Sequence, residues 1–170
     1  MLGVFLDRDT VDNGDMDISA LEKSLPCWRF YGLTSVAQLH ERIADAEVVV
    51  SSKVMLDAAA FAAAPQLKLV CVAATGTNNV DLAAAKHHGV TVCNVRAYAT
   101  TSVVQQTFAM MLSLSMQLEK YRRAVRRGEW QKSPHFCLLD YPIHEIAGKK
   151  LGIVGYGELG HGVADRKSVV

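Results

Sequence analysis

The chain has 170 residues, of which 50% are hydrophobic and 21% charged, with a formal net charge of +1. That is ordinary globular composition, and a near-neutral balance gives no global field to attract nucleic acid or a membrane surface. No apolar run reaches the roughly 18 residues of a membrane span, and the short apolar run at Leu2–Leu6 is followed at once by acids rather than a signal-peptide pattern, so a cytoplasmic protein is expected. Cys27, Cys71, Cys93 and Cys137 are widely spaced with no C-x-x-C, which favours free thiols; Cys71 and Cys93 sit in apolar runs and read as small buried hydrophobes.

In chain order, Leu2–Leu6 reads as a strand ending at Asp7, and the acidic Asp12–Asp17 stretch carries the turn signal Asn13-Gly14. A weak helical pattern over Ile18–Leu25 stops at Pro26, and Cys27–Tyr31 reads as a strand. Ser35–Ala44 is a helix with Val36, Leu39 and Ile43 on one face and Ser35 as its cap. Glu47–Val50 is a β-branched strand, Asp57–Ala64 an Ala-rich helix stopped by Pro65, and Leu67–Ala73 a buried strand. Asp81–His88 is a helix capped by Asp81 and closed by Gly89, and Val90–Asn94 is a strand again. Strands and helices alternate at βα spacing to about residue 98, the pattern of a parallel, doubly wound sheet.

The rhythm then changes. Thr100 to about Arg126 reads as one long helix, with capping-box spacing at Ser102–Gln105 and an apolar face of Val104, Phe108, Met111, Leu112, Ser115 and Leu118. Its terminal Lys120, Arg122, Arg123, Arg126 and Arg127 suit a nucleic-acid patch or a helix C-terminus; the second is favoured, because Gly128 closes the helix and no aromatics interleave the cations. Glu129–Ala147 reads as an extended arm whose Trp130, Phe136, Leu138, Leu139 and Tyr141 should cover something, a partner subunit being one candidate.

Lys150–Val154 reads as a buried parallel strand leading into Gly155-Tyr156-Gly157-Glu158-Leu159-Gly160, the G-x-G-x-x-G spacing. Gly155 would make the tight turn, Gly157 would let backbone approach a pyrophosphate, and Gly160 would let the next helix pack closely. The N–H groups at Glu158 and Leu159 would open that helix toward the phosphates. The same glycines suit a plain turn in another α/β protein. A second candidate is the loop Ala73–Asp81, between a strand and a helix, where the backbone of Thr75, Gly76 and Thr77 suits either a small carboxylate or an ordinary βα turn. His87 and His88 are adjacent on a helix end and read as solvated. His135 and Cys137 have no ligand cluster around them, so no metal site is expected.

These stretches together resemble the D-isomer-specific 2-hydroxyacid dehydrogenases, and look most like their D-glycerate dehydrogenase (hydroxypyruvate reductase) branch. The resemblance is carried by SSKVMLD at Ser51–Asp57, ATGTNNVDLAAAKHHGVTVCNV at Ala74–Val95 and YATTSVVQQTFAMML at Tyr98–Leu112. RRGEW at Arg126–Trp130, SPHFCLLDYP at Ser133–Pro142 and AGKKLGIVGYGELG at Ala147–Gly160 complete it. It implies a flavodoxin-like parallel-sheet substrate domain over residues 1–98, lacking its C-terminal completion, and the truncated start of a Rossmann nucleotide-binding domain over 99–164. It further implies that Thr75, Gly76 and Thr77 bind the substrate carboxylate, with Lys53 near the same pocket. Thr107 falls where the family approaches the nicotinamide of NAD or NADP, while Gly155, Gly157, Glu158, Leu159 and Gly160 take the cofactor phosphates. The long helix and the arm match a homodimer interface.

The expected activity is reduction of hydroxypyruvate or glyoxylate, or oxidation of D-glycerate, in the intact protein. The family's catalytic Arg, Glu and His would lie beyond Val170, so no residue present is expected to be catalytic and this length of chain is expected to be inactive. A non-enzymatic dinucleotide-sensing corepressor of the same fold is the alternative; a methyltransferase is disfavoured by the match through Val95. Residues 165–170, Asp165-Arg166-Lys167-Ser168-Val169-Val170, break the pattern and read as a non-native tail, since one back-translation of them is sequencing-library adapter DNA.

Overall fold

The computed structural model describes residues 1–165, so the expectation for the tail falls almost wholly outside the described residues. The chain divides into two compact units, Met1–Arg96 and one beginning at Ala97.

The first unit is built on five parallel strands: β1 (Leu2–Phe5), β2 (Cys27–Phe30), β3 (Val48–Ser51), β4 (Leu69–Val72) and β5 (Thr91–Asn94), in the order β2-β1-β3-β4-β5. This is the flavodoxin-like order expected. The strands are joined through α1 (Ser19–Glu22), α2 (Val36–Ile43), α3 (Ala58–Ala63) and α4 (Leu82–His87). α2, α3 and α4 begin where the sequence supplies a cap, whereas α1 has Ile18 at its N-cap and no side-chain cap. Asp57 accepts from the Ala60 N–H at 2.9 Å and Asp81 from the Ala84 N–H at 2.9 Å, while Gln38 Oε1 accepts from the Ser35 N–H at 3.1 Å. One sheet face carries the main core: Val4, Leu6, Val49 and Val70 pack with Leu39 and Ile43 of α2, Phe61 of α3 and Ala85 of α4.

The opposite face is lined by Leu21 and Leu25, Trp28, Val48, Val50, Leu69 and Cys71, around an apolar groove of about 410 Å³. Trp28 lies so close over β1 that a Cβ on Gly3 would come within 2.5 Å of its ring. The cysteines depart from expectation here. Cys71 is only half-buried in this groove, and partial burial pushes its thiol up; Cys93 is exposed, because β5 is an edge strand with a neighbour on one side only. All four cysteines are free thiols.

The second unit contains α5 (Thr100–Ser115), α6 (Leu118–Arg126), α7 (Glu129–Lys132) and α8 (Glu158–Ala164). The expected single helix over Thr100–Arg126 is in fact two. Gln117 adopts a left-handed φ of 51°, and the His144 N–H donates to the Ser115 carbonyl at 3.0 Å, so the arm's backbone enters the hydrogen-bond ladder at the break. The capping box at Ser102 does not form either, because the helix starts earlier, at Thr100 with Ala99 as N-cap. The arm opens with the single turn of α7 and is otherwise irregular; Tyr121 Oη donates to the Tyr141 carbonyl at 2.7 Å and pins it to α6.

Lys150–Val154 is not a strand: Leu151 and Val154 are exposed, and no strand lies among the described residues of this unit to pair with it. An apolar run forms a buried strand only where a ladder receives its backbone groups.

Two of the cations of α6, Arg122 and Arg123, pair within the helix, while Lys120 lies over the Tyr141 ring of the arm. Glu119 pairs with Arg122 at 2.6 Å and Arg123 at 2.8 Å, and these two hydrogen-bonded guanidinium groups hold its carboxyl down to about 2 from an ordinary 4.5. A depressed carboxylate pKa stabilises the fold above the unfolded value and loses that contribution as pH falls toward the folded one. Helicity followed by circular dichroism is therefore expected to fall as pH drops from 4.5 toward about 2, with a smaller change over that window in Glu119→Gln.

Candidate functional site

In an open parallel sheet the loops leaving the carboxyl ends of the strands form the natural ligand crevice, at the point where strand order reverses. Here the reversal lies between β1 and β3. The loop after β3, residues 52–57, and the loop after β4, residues 73–81, leave from neighbouring strands.

The first loop carries Lys53, whose side chain is exposed. Its backbone is held from below by Asp7, just past β1. The Asp7 carboxylate accepts from the N–H groups of Ser52 at 2.9 Å, Lys53 at 2.6 Å and Val54 at 3.3 Å, and Ser51 Oγ lies at 3.5 Å. Asp7, Ser51 and Ser52 are all buried.

The second loop carries Thr75, Gly76 and Thr77 and is tied at both ends. Asn94, at the end of β5, donates through Nδ2 to the Thr75 carbonyl at 2.7 Å. Buried Asn79 donates through Nδ2 to the Val54 carbonyl at 3.1 Å, and its own carbonyl accepts from the Leu56 N–H at 2.8 Å, which joins the two loops. Among the described residues, none of the N–H groups of Thr75, Gly76 and Thr77 donates a hydrogen bond within the protein. Thr75 and Gly76 are exposed and Thr77 is half-buried. The loop is thus a fixed backbone turn offering unused donors, the arrangement that receives a small anion. Gly76 has an ordinary φ, and a Cβ there would meet Asn78 Oδ1 at 3.1 Å. Its value lies in the space it leaves rather than in its conformation.

The glycine-rich turn lies in the second unit. Gly155 has φ +89°, a conformation that L side chains rarely adopt. A Cβ on Gly160 would come within 2.1 Å of the Gly155 carbonyl oxygen, so α8 packs on the turn only because Gly160 lacks a side chain. Gly157 is the N-cap of α8, with nothing within 4 Å of where a Cβ would stand. Glu158 accepts from Thr100 Oγ1, which draws its charge toward α5, and Leu159 is exposed. Gly162 lets α8 rest on Thr100 and Val104 of α5, each 3.0 Å from a would-be Cβ. Thr107, half-buried on α5, turns its hydroxyl back to the Val103 carbonyl at 2.8 Å.

No group of three or more metal-ligating side chains occurs among the described residues, and His87 and His88 are exposed. No described helix is long and apolar enough to cross a membrane.

Residues 8–156 match the family described as D-isomer specific 2-hydroxyacid dehydrogenase, catalytic domain. The chain belongs to that family. It is 42% identical over 165 residues to a glycerate dehydrogenase of Methylorubrum extorquens, covering 96% of this chain and 51% of that one. It is 36% identical over 160 residues to a hydroxypyruvate reductase of Blautia hydrogenotrophica, covering 92% and 49% respectively. A D-lactate dehydrogenase from Aquifex aeolicus, solved with NAD and lactic acid, shares the fold with a TM-score of 0.75 at 24% identity, over 96% of this chain and 47% of that one. The chain spans about half the length of the curated relatives it matches.

Three residues that build this 2-hydroxyacid dehydrogenase loop pair escape a reading of the sequence: Asp7, Asn79 and Asn94. Each is a small polar residue at or beyond a strand's carboxyl end, where a turn role is the default. The usable signal is position alone, since all three stand on the carboxyl-end side of the sheet, where parallel sheets commonly receive ligands.

Proposed function

We propose that this chain carries the substrate-carboxylate loop and the opening of the nucleotide site of an NAD- or NADP-dependent D-2-hydroxyacid oxidoreductase, one that reduces hydroxypyruvate or glyoxylate or oxidises D-glycerate in the cytoplasm. The observation that carries the reading is the tethered Thr75–Gly76–Thr77 backbone with its unused donors, in a chain that matches the family over residues 8–156. In this reading the three N–H groups take the substrate carboxylate and Lys53 adds positive charge beside it. That fixes the small acid by one end and leaves its C2 free to react.

The glycine-rich turn fits a dinucleotide pyrophosphate, because the space before Gly157 is open and α8 begins there. Gly155, Gly157, Glu158, Leu159 and Gly160 would hold it, with Thr107 toward the nicotinamide end. When bound, the nicotinamide supplies a hydride carrier. No residue of the chain is assigned the acid–base role; its residues bind and orient. Exposed Leu114 on α5 and Phe136 and Leu139 on the arm favour a homodimer, since apolar side chains 71%, 92% and 78% exposed need a partner surface.

The test is a titration of D-glycerate into the isotopically labelled chain. Amide resonances of Thr75, Gly76 and Thr77 are expected to shift. Gly76→Ala, whose Cβ displaces only the Asn78 side chain, is expected to keep the fold and weaken binding by about tenfold, ~1.4 kcal/mol. Shifts that avoid this loop would remove the reading.

A further inference from the structure

We propose that Asp7 is a positioning residue for the substrate pocket: its buried carboxylate sets the Lys53 loop and, through Asn79, the Thr75–Thr77 loop. The inference rests on the substrate reading above.

Asp7 stands where β1 ends, beside the reversal of strand order, the place where a doubly wound sheet usually receives a ligand. The carboxylate that occupies this place belongs to the chain itself. It is 2% exposed, and no lysine or arginine pairs with it among the described residues. Its charge is met by the N–H groups of Ser52, Lys53 and Val54, the shortest of these bonds, 2.6 Å, being to Lys53. Three consecutive amides turned onto one anion form a nest, and a nest filled by a covalently attached carboxylate is rigid.

The effect extends beyond this loop. The Val54 carbonyl, one peptide on, accepts from Asn79 Nδ2 at 3.1 Å, and the Asn79 backbone binds Leu56 at 2.8 Å. Asn79 closes the loop that offers the Thr75, Gly76 and Thr77 donors. A single hydrogen-bonded path therefore runs from Asp7 through residues 53 and 54 to Asn79 and the anion-binding turn. Anchoring a surface loop for stability alone needs no buried charge, as Asn94 demonstrates at the other end with a neutral amide. A charged acceptor is the stronger choice where loop geometry must be held closely.

The experiment compares D-glycerate affinity in the wild-type chain, Asp7→Asn, Asn79→Ser and Phe61→Leu, read from amide shifts of Thr75–Thr77 and the Lys53 side-chain resonance. Asp7→Asn keeps the shape but turns an NH₂ toward amide donors. It is expected to raise Kd by about tenfold while the folded signal persists, roughly the loss of one strong hydrogen bond. Asn79→Ser is expected to act in the same direction. Phe61→Leu, which weakens the core around α3 while leaving the hydrogen-bonding groups of Asp7, residues 52–54 and Asn79 in place, is expected to lower stability and leave Kd unchanged. If Asp7→Asn does not fold, Asn79→Ser decides: wild-type affinity in that variant overturns the proposal. Wild-type affinity in a folded Asp7→Asn overturns it also. A wild-type chain that shows no D-glycerate shift brings down the substrate reading together with the proposal, whereas binding that ignores both loop variants brings down the proposal alone.

Discussion

Gly160→Ala is expected to open the glycine-rich turn and raise the Kd for NADH by at least about tenfold. The reason is steric. The added Cβ would stand 2.1 Å from the Gly155 carbonyl oxygen and 3.3 Å from Ile153 Cγ2, so either α8 or the turn must move. Overpacking of this kind costs about 1–3 kcal/mol, enough to displace a seven-residue helix. Gly157→Ala is the informative companion. Nothing lies within 4 Å of its Cβ position and its φ is −80°, so the free turn should keep its amide shifts. Loss of NADH fluorescence enhancement in that variant would then report a ligand approaching the backbone at residue 157. If both variants bind NADH as the wild type does, the glycine-rich turn is not a cofactor site.

The largest expected loss of stability is at Phe61. Its ring is 1% exposed and stacks at 6.2 Å on His88, in the core cluster that joins α2, α3 and α4 to the sheet. Phe61→Ala removes most of a large buried side chain and leaves a cavity, which costs about 3–5 kcal/mol. Domains of this kind are stable by only about 5–15 kcal/mol, so the variant should unfold at a much lower urea midpoint with an unchanged slope. A midpoint close to wild type would mean that α3 does not depend on this core.

The strands and helices of the first unit were legible because their signals are local. Val48–Val50 and Leu69–Val72 are short apolar runs, Asp57 and Asp81 stand where helix amides need acceptors, and Pro26 and Pro65 mark the stops. Family membership was legible for a similar reason, since its motifs are contiguous words such as Thr75-Gly76-Thr77. The second unit was read less well. The helix break at Gln117 depends on an arm residue, His144, donating to Ser115, and no pattern within residues 100–126 carries that information. Lys150–Val154 has the composition of a strand but lacks a neighbouring strand to bond. Cys93 has apolar neighbours in sequence but lies on the open edge of the sheet.

By itself the sequence determined the parallel α/β class, the caps at Ser35, Asp57 and Asp81, the glycine-rich turn and the family. Each of these depends on residues a few positions apart, where chain connectivity alone holds the partners together. Tertiary structure alone decided the open apolar groove over Trp28 and the role of Asp7. The Asp7 carboxylate meets the Lys53 N–H from 46 residues away, and that meeting exists only because the crossover to β3 lays the two strands side by side. A buried acid and a solvated one are the same letter in a sequence; the surrounding amides make the difference.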